Sequence, residues 1–281
     1  MDQFTGKVAV ITGGASGIGF SLAKAFAAQG MHLVLADLEA PALETAAARL
    51  RAEGTEVLDV HCDVADANAV DALAAATFDR FGTAHIVCNN AGVGGAPGLT
   101  WEVPLAGWEW TFAANLHGVI HGIRSFAPKL IEQGEGHFVN TASLAGLKGS
   151  PFMSAYVATK HAVVGISECL AHELTMTKSG VGVSVLCPAF LRTRIAESGR
   201  LWPEHLGPNP MPDAGAESFI RQLVDNGKDP DWYATEVLEA IRTNRFFVLS
   251  DPAHAGAISA RHQEAVHGTQ PQMLDLTPSA D

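Results

Sequence analysis

The chain has 281 residues, 47% of them hydrophobic, with 18 Lys and Arg against 30 Asp and Glu, a formal net charge of −12. That length fits one large domain with a real core. The acidic balance argues against nucleic acid and anionic membrane surfaces as partners. The four cysteines, Cys62, Cys88, Cys169 and Cys187, show no metal-ligand spacing, and MDQFTGKVAV lacks the pattern of a secretory leader. No apolar run reaches the roughly 18 residues of a membrane span. The expected setting is cytoplasmic and reduced, with no metal.

Lys7–Thr12 reads KVAVIT, a β-branched run ending in glycines, the pattern of a buried strand. An apolar-periodic helix follows over Gly17–Gly30. Further strands are expected at Leu33–Ala36, Glu56–Val60, His85–Asn89, Gly136–Asn140, Gly182–Cys187 and Phe246–Leu249. Helices are expected between them at Pro41–Glu53, Asn68–Phe81, from Trp108 to about Glu132, at Ser154–Lys178 and at Asp231–Thr243. Seven short apolar strands alternating with helices predict an α/β fold, a parallel sheet covered on both faces. Residues 192–230, rich in Pro, Gly and Trp, break the rhythm and read as a lid or binding loop. The polar tail after Pro252 predicts a short helix over Ala253–Val266 and then disorder. The expected organisation is a single domain over 1–281, with a substrate loop at 190–230 and a tail at 252–281.

The first strand runs into Thr12-Gly13-Gly14-Ala15-Ser16-Gly17-Ile18-Gly19, which opens the first helix. Glycines 13, 17 and 19 suit a tight turn, close backbone approach to a phosphate and close helix–strand contact. The helix N-terminus then presents unpaired N–H groups to a pyrophosphate. Asp37 ends the second strand, where a carboxylate accepts from both ribose hydroxyls of NAD and repels the 2′-phosphate of NADP. No Lys or Arg lies in Gly13–Gly19, and Leu38 is not basic either, so NAD is the expected cofactor. Asp63 after strand three suits the adenine edge, with Val64 packed nearby. In Asn89-Asn90-Ala91-Gly92 small residues let the backbone pass close to the cofactor, and the amides can pin the strand end.

Tyr156 and Lys160 lie four apart on one helix, hence on one face. A phenol with a pKa near 10 is a poor base at neutral pH. A neighbouring ammonium and the positive nicotinamide of NAD⁺ favour its phenolate. Ser143, just after strand five, can hydrogen-bond a substrate oxygen and the developing alkoxide. Asn115 could hold a water or the backbone near Lys160. Each of these residues is ordinary alone; their coincidence with the glycine turn is what points to hydride chemistry.

Over about residues 5–250 the chain resembles the short-chain dehydrogenase/reductase family. TGGASGIG at 12–19 matches that family's cofactor turn, NNAG at 89–92 its strand-four motif, and Asn115, Ser143, Tyr156 and Lys160 its catalytic tetrad. The resemblance implies a Rossmann-like, doubly wound three-layer α/β/α sandwich with a seven-stranded parallel sheet in the order 3-2-1-4-5-6-7. It also implies roles. Tyr156 is the general acid/base, and Lys160 binds the nicotinamide ribose and lowers the tyrosine pKa. Ser143 positions substrate, and Asn115 maintains a proton-relay water. Ser16, Ile18, Asn89, Ala91, Gly92, Pro188, Phe190 and Thr193 join Gly13, Gly17, Gly19, Asp37, Leu38, Asp63 and Val64 around the cofactor. One departure is Pro188-Ala189, where the family commonly has Pro-Gly.

The implied reaction interconverts a secondary alcohol and its ketone. Expected pocket walls are Gly94–Leu99, Leu144–Met153 and the loop residues Phe190, Leu191, Ile195, Leu201, Trp202 and Leu206, favouring an apolar or aromatic substrate. The loop also looks like that of members acting on bulky aryl or alicyclic alcohols, including lignin-type aryl Cα-dehydrogenases. Arg192, Arg194 and Arg200 could greet a carboxylate. His117 and His121 lie four apart on one helix, without an evident third metal ligand. Two rival readings stand beside this one. An NADPH ketoreductase is opposed by Asp37, and a non-catalytic dinucleotide sensor is opposed by Tyr156 and Lys160. The family resemblance further implies a homotetramer or homodimer, formed through the helices starting near 108 and 154 and the C-terminal strand.

Overall fold

The computed structural model describes Met1 and residues 3–210 and 221–272. Part of the expected substrate loop, 211–220, and the end of the expected tail, 273–281, lie outside the described residues. Seven strands form one sheet: β1 (Val8–Thr12), β2 (His32–Asp37), β3 (Val57–His61), β4 (Ile86–Asn89), β5 (Gly136–Thr141), β6 (Val181–Cys187) and β7 (Phe247–Leu249). Every pairing is parallel and the order is β3-β2-β1-β4-β5-β6-β7, as expected.

The helices are α1 (Gly17–Ala28), α2 (Ala40–Ala52), α3 (Ala67–Phe81), α4 (Leu105–Phe112), α5 (Gly118–Gln133), α6 (Ser154–Met176), α7 (Pro230–Thr243) and α8 (Ala255–His267). Successive strand residues point to opposite faces, so each strand feeds two cores. Ala9 and Ile11 of β1 and Leu33 and Leu35 of β2 join Phe26, Leu50 and Tyr233 from α1, α2 and α7. Val8 and Val10, with Val34 and Ala36, join Leu73, Phe126 and Leu170 from α3, α5 and α6. This is the doubly wound α/β/α sandwich. The order in which strands are added reverses between β1 and β4, and a crevice opens beyond the carboxyl ends of the strands there.

The expected helix from Trp108 to Glu132 is corrected in one respect. It starts at Leu105, and a π-turn over Ala113–His117 separates α4 from α5, with the Gly118 N–H bonded to Ala113 O. Apolar periodicity does not register one extra residue inside a long helix, because both flanking halves keep their own apolar stripe. In the tail, α8 follows the expected position and contributes no buried residue. Among the described residues, no helix is long and apolar enough to cross a membrane.

Candidate active site

One cavity of about 860 Å³ lies over the carboxyl ends of the strands. Its adenosine-side wall is mostly backbone. Gly13 and Gly17 have φ of +64° and +53°, a region that side chains disfavour. A Cβ on Gly19 would lie 2.0 Å from Gly13 O, so helix and turn touch there. Ser16 is the N-cap of α1 but makes no side-chain cap bond, which leaves first-turn N–H groups for an external acceptor. A dinucleotide fits this cradle: an uncapped helix start faces the cavity where any larger residue would fill the approach.

Asp37 closes the turn from the side. Its two carboxylate oxygens accept from Ala15 N and Glu39 N, each at 3.0 Å, and the residue lines the cavity beside Leu38. Asp63 also lines it, with Oδ1 accepting from Ala65 N at 2.9 Å, and Val64 lies between it and α5, where His121 Nδ1 meets Val64 O at 2.9 Å. Among the described residues, no group of three His, Cys, Asp or Glu side chains could hold a metal.

The Asn-Asn pair divides its labour. Asn90 lines the cavity and ties β1 to β4: its Nδ2 donates to Thr12 O at 3.0 Å, and Thr12 Oγ1 accepts from the Asn90 and Ala91 N–H groups at 3.0 and 3.1 Å. Asn89 points the other way. It is buried, donates to Asn140 Oδ1 at 2.9 Å and does not line the cavity. Its place among the cofactor residues is therefore corrected: strand alternation gives Asn89 to the α5 side of the sheet and leaves the cavity side to Asn90. A Cβ on Gly122 would come within 1.9 Å of Asn89 Oδ1, so α5 is seated directly on it. Gly19 and Pro188 also stand behind the cavity wall rather than in it, whereas Ala91, Gly92, Phe190 and Thr193 line it.

At the other end Ser143, Tyr156 and Lys160 converge on the same cavity. Burial pushes the Tyr156 phenol above its ordinary value, and a hydrogen bond with the Ser143 hydroxyl pulls it the other way. Ser143 Oγ also accepts from Ala145 N at 3.1 Å, which fixes its rotamer. Lys160 is 4% exposed, donates to Thr141 O at 2.9 Å and lies 5.5 Å from the centre of the Tyr156 ring. Burial lowers its pKa to about 8, so it remains a cation at neutral pH. Asn115 sits in the π-turn and is fully buried. Its side chain grips the backbone of Val93, accepting from N at 2.7 Å and donating to O at 2.9 Å. The side chain thus holds backbone close to Lys160: a Cβ on Gly92 would lie 2.8 Å from Asn115 Oδ1 and 3.6 Å from Lys160 Nζ.

Ala189, at the Pro-Ala departure, has no positive φ, and its N–H donates to Ser250 Oγ at 2.8 Å, so alanine fits without strain. The loop arginines are all paired: Arg192 with Asp229, Arg194 with Glu197 and Glu39, Arg200 with Glu39, and Arg221 with Glu197. They tie the loop down through partly exposed pairs, the commoner use of loop arginines. The expected place of Trp202 on the pocket wall is corrected. It stacks edge-on against Trp110 at 5.3 Å, while Leu201 and Leu206 on either side line the cavity. Sequence reading missed Glu39 as the loop's anchor, and Ser198, whose hydroxyl accepts from Gly94 N at 2.8 Å. Neither carries a motif, since each acts through a partner far away in sequence.

Residues 7–204 match the model of the short chain dehydrogenase family. The chain belongs to the short chain dehydrogenase family. A family member from Burkholderia phymatum, solved in complex with NAD, is 43% identical, superposes with a TM-score of 0.94, and covers 98% of this chain and 100% of its own. A 1-deoxy-11-beta-hydroxypentalenate dehydrogenase from Streptomyces arenae is 37% identical over 87% of this chain and 82% of its own length. A C alpha-dehydrogenase from a Sphingobium species is 30% identical over 98% of this chain and 90% of its own. This short chain dehydrogenase is therefore an oxidoreductase whose cavity is a nicotinamide dinucleotide site.

Proposed function

We propose that the protein is an NAD-dependent dehydrogenase that interconverts a secondary alcohol and its ketone on an apolar or aromatic frame. The observation that carries this reading is the convergence of Ser143, Tyr156 and Lys160 on the cavity whose far end holds Asp37 beside the glycine turn. NAD supplies the hydride acceptor at its nicotinamide when bound. Gly13, Ser16, Gly17 and Ile18 would hold its pyrophosphate, Asp37 its adenosine ribose, and Asp63 and Val64 its adenine. Phe190 and Thr193 would flank the nicotinamide. The protein orients and polarises, and the cofactor carries the redox chemistry.

In oxidation the Tyr156 phenolate accepts the alcohol proton while Ser143 Oγ–H steadies the oxygen that becomes the ketone. In reduction the phenol returns that proton. The free phenol is a weak acid here because burial opposes its charge; Lys160, whose Nζ lies 5.5 Å from the ring centre, is the cation that would favour the phenolate once substrate and cofactor are bound. Asn115, by gripping Val93, holds the strand-four extension against the catalytic helix. The same reading places the protein in the cytoplasm as a homotetramer or homodimer. Exposed Leu105 on α4, Met176 on α6 and Phe247 on edge strand β7 support that assembly.

Hydride transfer from a panel of secondary alcohols to NAD⁺ and to NADP⁺ tests the reading, with the expectation that NAD⁺ is preferred. Tyr156→Phe is expected to lose roughly 10²- to 10⁴-fold in kcat; a variant as active as the wild type refutes the acid/base assignment. The chain has two tyrosines, and buried Tyr233 donates to Val248 O with its pKa raised well above the ordinary value. Phenolate absorbance on alkaline titration therefore reports Tyr156. Because burial raises that phenol above the ordinary tyrosine range, the signal is expected only in strong alkali without cofactor, at lower pH with NAD⁺, and not at all in Tyr156→Phe.

A further inference from the structure

The substrate-side wall contains a largely covered lysine that no described residue neutralises. Lys148 is 7% exposed and lines the cavity with Ser143, Leu144, Phe152 and Tyr156. Its backbone N–H closes a tight turn onto Leu144 O at 3.1 Å, and Leu144 N is anchored to Pro188 O at 2.8 Å. The side chain therefore leaves a fixed stretch of chain. Among the described residues its ammonium has no hydrogen-bond acceptor and no carboxylate in ion-pair range, and it is not among the fully enclosed side-chain atoms, so the stem is covered while the charged tip is open to the cavity.

The neighbouring charges do not account for it. Lys160, the other covered lysine of the site, is bonded to Thr141 O. Arg192, Arg194, Arg200 and Lys228 each have a carboxylate partner. Of the acids on the cavity wall, Asp37, Asp63 and Asp66 stand at the adenosine end around β2 and β3. Glu39 is bound by two arginines, and Glu109 is exposed on α4. A long, flexible cation in an otherwise apolar stretch beside the catalytic serine and tyrosine is suited to an anion that arrives with the substrate.

We propose that Lys148 is a specificity-determining residue that binds a carboxylate carried by the alcohol substrate. This rests on the dehydrogenase reading above and narrows it. The substrate is a hydroxy acid on a hydrocarbon frame, its carbinol at Ser143 and Tyr156, its carboxylate at Lys148, and its apolar body against Leu144 and Phe152. Arg192, Arg194 and Arg200, which sequence alone offers for this task, each have a carboxylate partner, as does Arg221, so recognition falls to a residue that belongs to no motif.

The test pairs cyclic and aryl hydroxy acids with their primary amides, which keep the shape and remove the charge. A charge-assisted hydrogen bond is worth roughly a 10- to 150-fold preference for the acid in kcat/KM, expressed mainly in KM. Lys148→Met is expected to erase that preference while still oxidising the amides, and Lys148→Arg to retain it. Equal turnover of acids and amides by the wild type, or an undiminished preference in Lys148→Met, overturns the proposal. Calorimetric binding of benzoate and benzamide to the NAD⁺-loaded protein separates the two levels of inference. Lys148-dependent benzoate binding without oxidation of any alcohol supports the anion site and overturns only the reaction. Oxidation of neutral alcohols without benzoate binding overturns the anion site and leaves the reaction standing.

Discussion

At the adenosine end the cavity wall is backbone held at fixed angles, whereas at the substrate end it is side chains held by other side chains. Gly13, Gly17 and Gly19 work by what they lack, and Asp37 is itself pinned by two N–H groups. Across the cavity, Ile195–Leu201 is a 3₁₀ segment kept in place by Ser198 on Gly94 and by Arg200 on Glu39. Backbone geometry tolerates almost no substitution and serves every substrate alike. Side-chain ties can be exchanged one by one, which makes this end the part where specificity can change without loss of the fold.

The sharpest way to break that contrast is Gly19→Ala. The added methyl would lie 2.0 Å from Gly13 O, which forces the turn and α1 apart. A destabilisation of about 1–3 kcal/mol is expected in urea unfolding, with NAD affinity lost for all substrates together; loss for one substrate class alone would show that the two ends are not separate. Glu39→Gln should have a middle-sized effect. The Arg200 hydrogen bond holds the Glu39 carboxyl below its ordinary value. The tie is therefore fully present above the unfolded carboxylate pKa and lost only as pH falls through the lowered one. A partly exposed pair of this kind contributes under about 1 kcal/mol to stability. The variant should keep its Tm nearly unchanged and show a raised KM for NAD, measured at neutral pH, because Glu39 stands two residues past Asp37 and is where the 195–201 segment is tied across to the adenosine end.

The smallest effect on stability is expected at Phe152, an aromatic residue on the cavity wall with φ +65°. Glycine relieves a left-handed strain of about 1–2 kcal/mol and gives back roughly 0.5–1 kcal/mol in chain entropy. Phe152→Gly should therefore melt at or slightly above the wild-type temperature while KM for apolar alcohols rises. A large drop in Tm would mean that the ring belongs to the core and not to the site.

The sheet, its order and the glycine turn were legible because they follow from period, β-branching and the φ that only glycine adopts. The tetrad was legible because Tyr156 and Lys160 are separated by one helical turn. What escaped has a common physical cause: it depends on which partner lies across the fold. Nothing in RTRIAES tells that Arg200 meets Glu39, and nothing in NNAG tells which amide faces the crevice until the register of β4 is known. Lys148 lies within an expected pocket wall without a signal of its own, because a single lysine in a loop is ordinary until its burial and the lack of a counter-charge among the described residues are seen together.

The π-turn at Ala113–His117 bears on how this chain can be recombined with its relatives. One residue inserted into a helix rotates everything beyond it by about 100°. Here that rotation lets Asn115 reach Val93 while Phe126 and Leu130 still face the sheet. A chimera that replaced 105–133 with a regular helix one residue shorter would keep both ends in register with their neighbours only by shearing one of them. The crossover points for exchanging substrate pockets within this family therefore belong outside that stretch, in the loops before Leu105 and after Gln133.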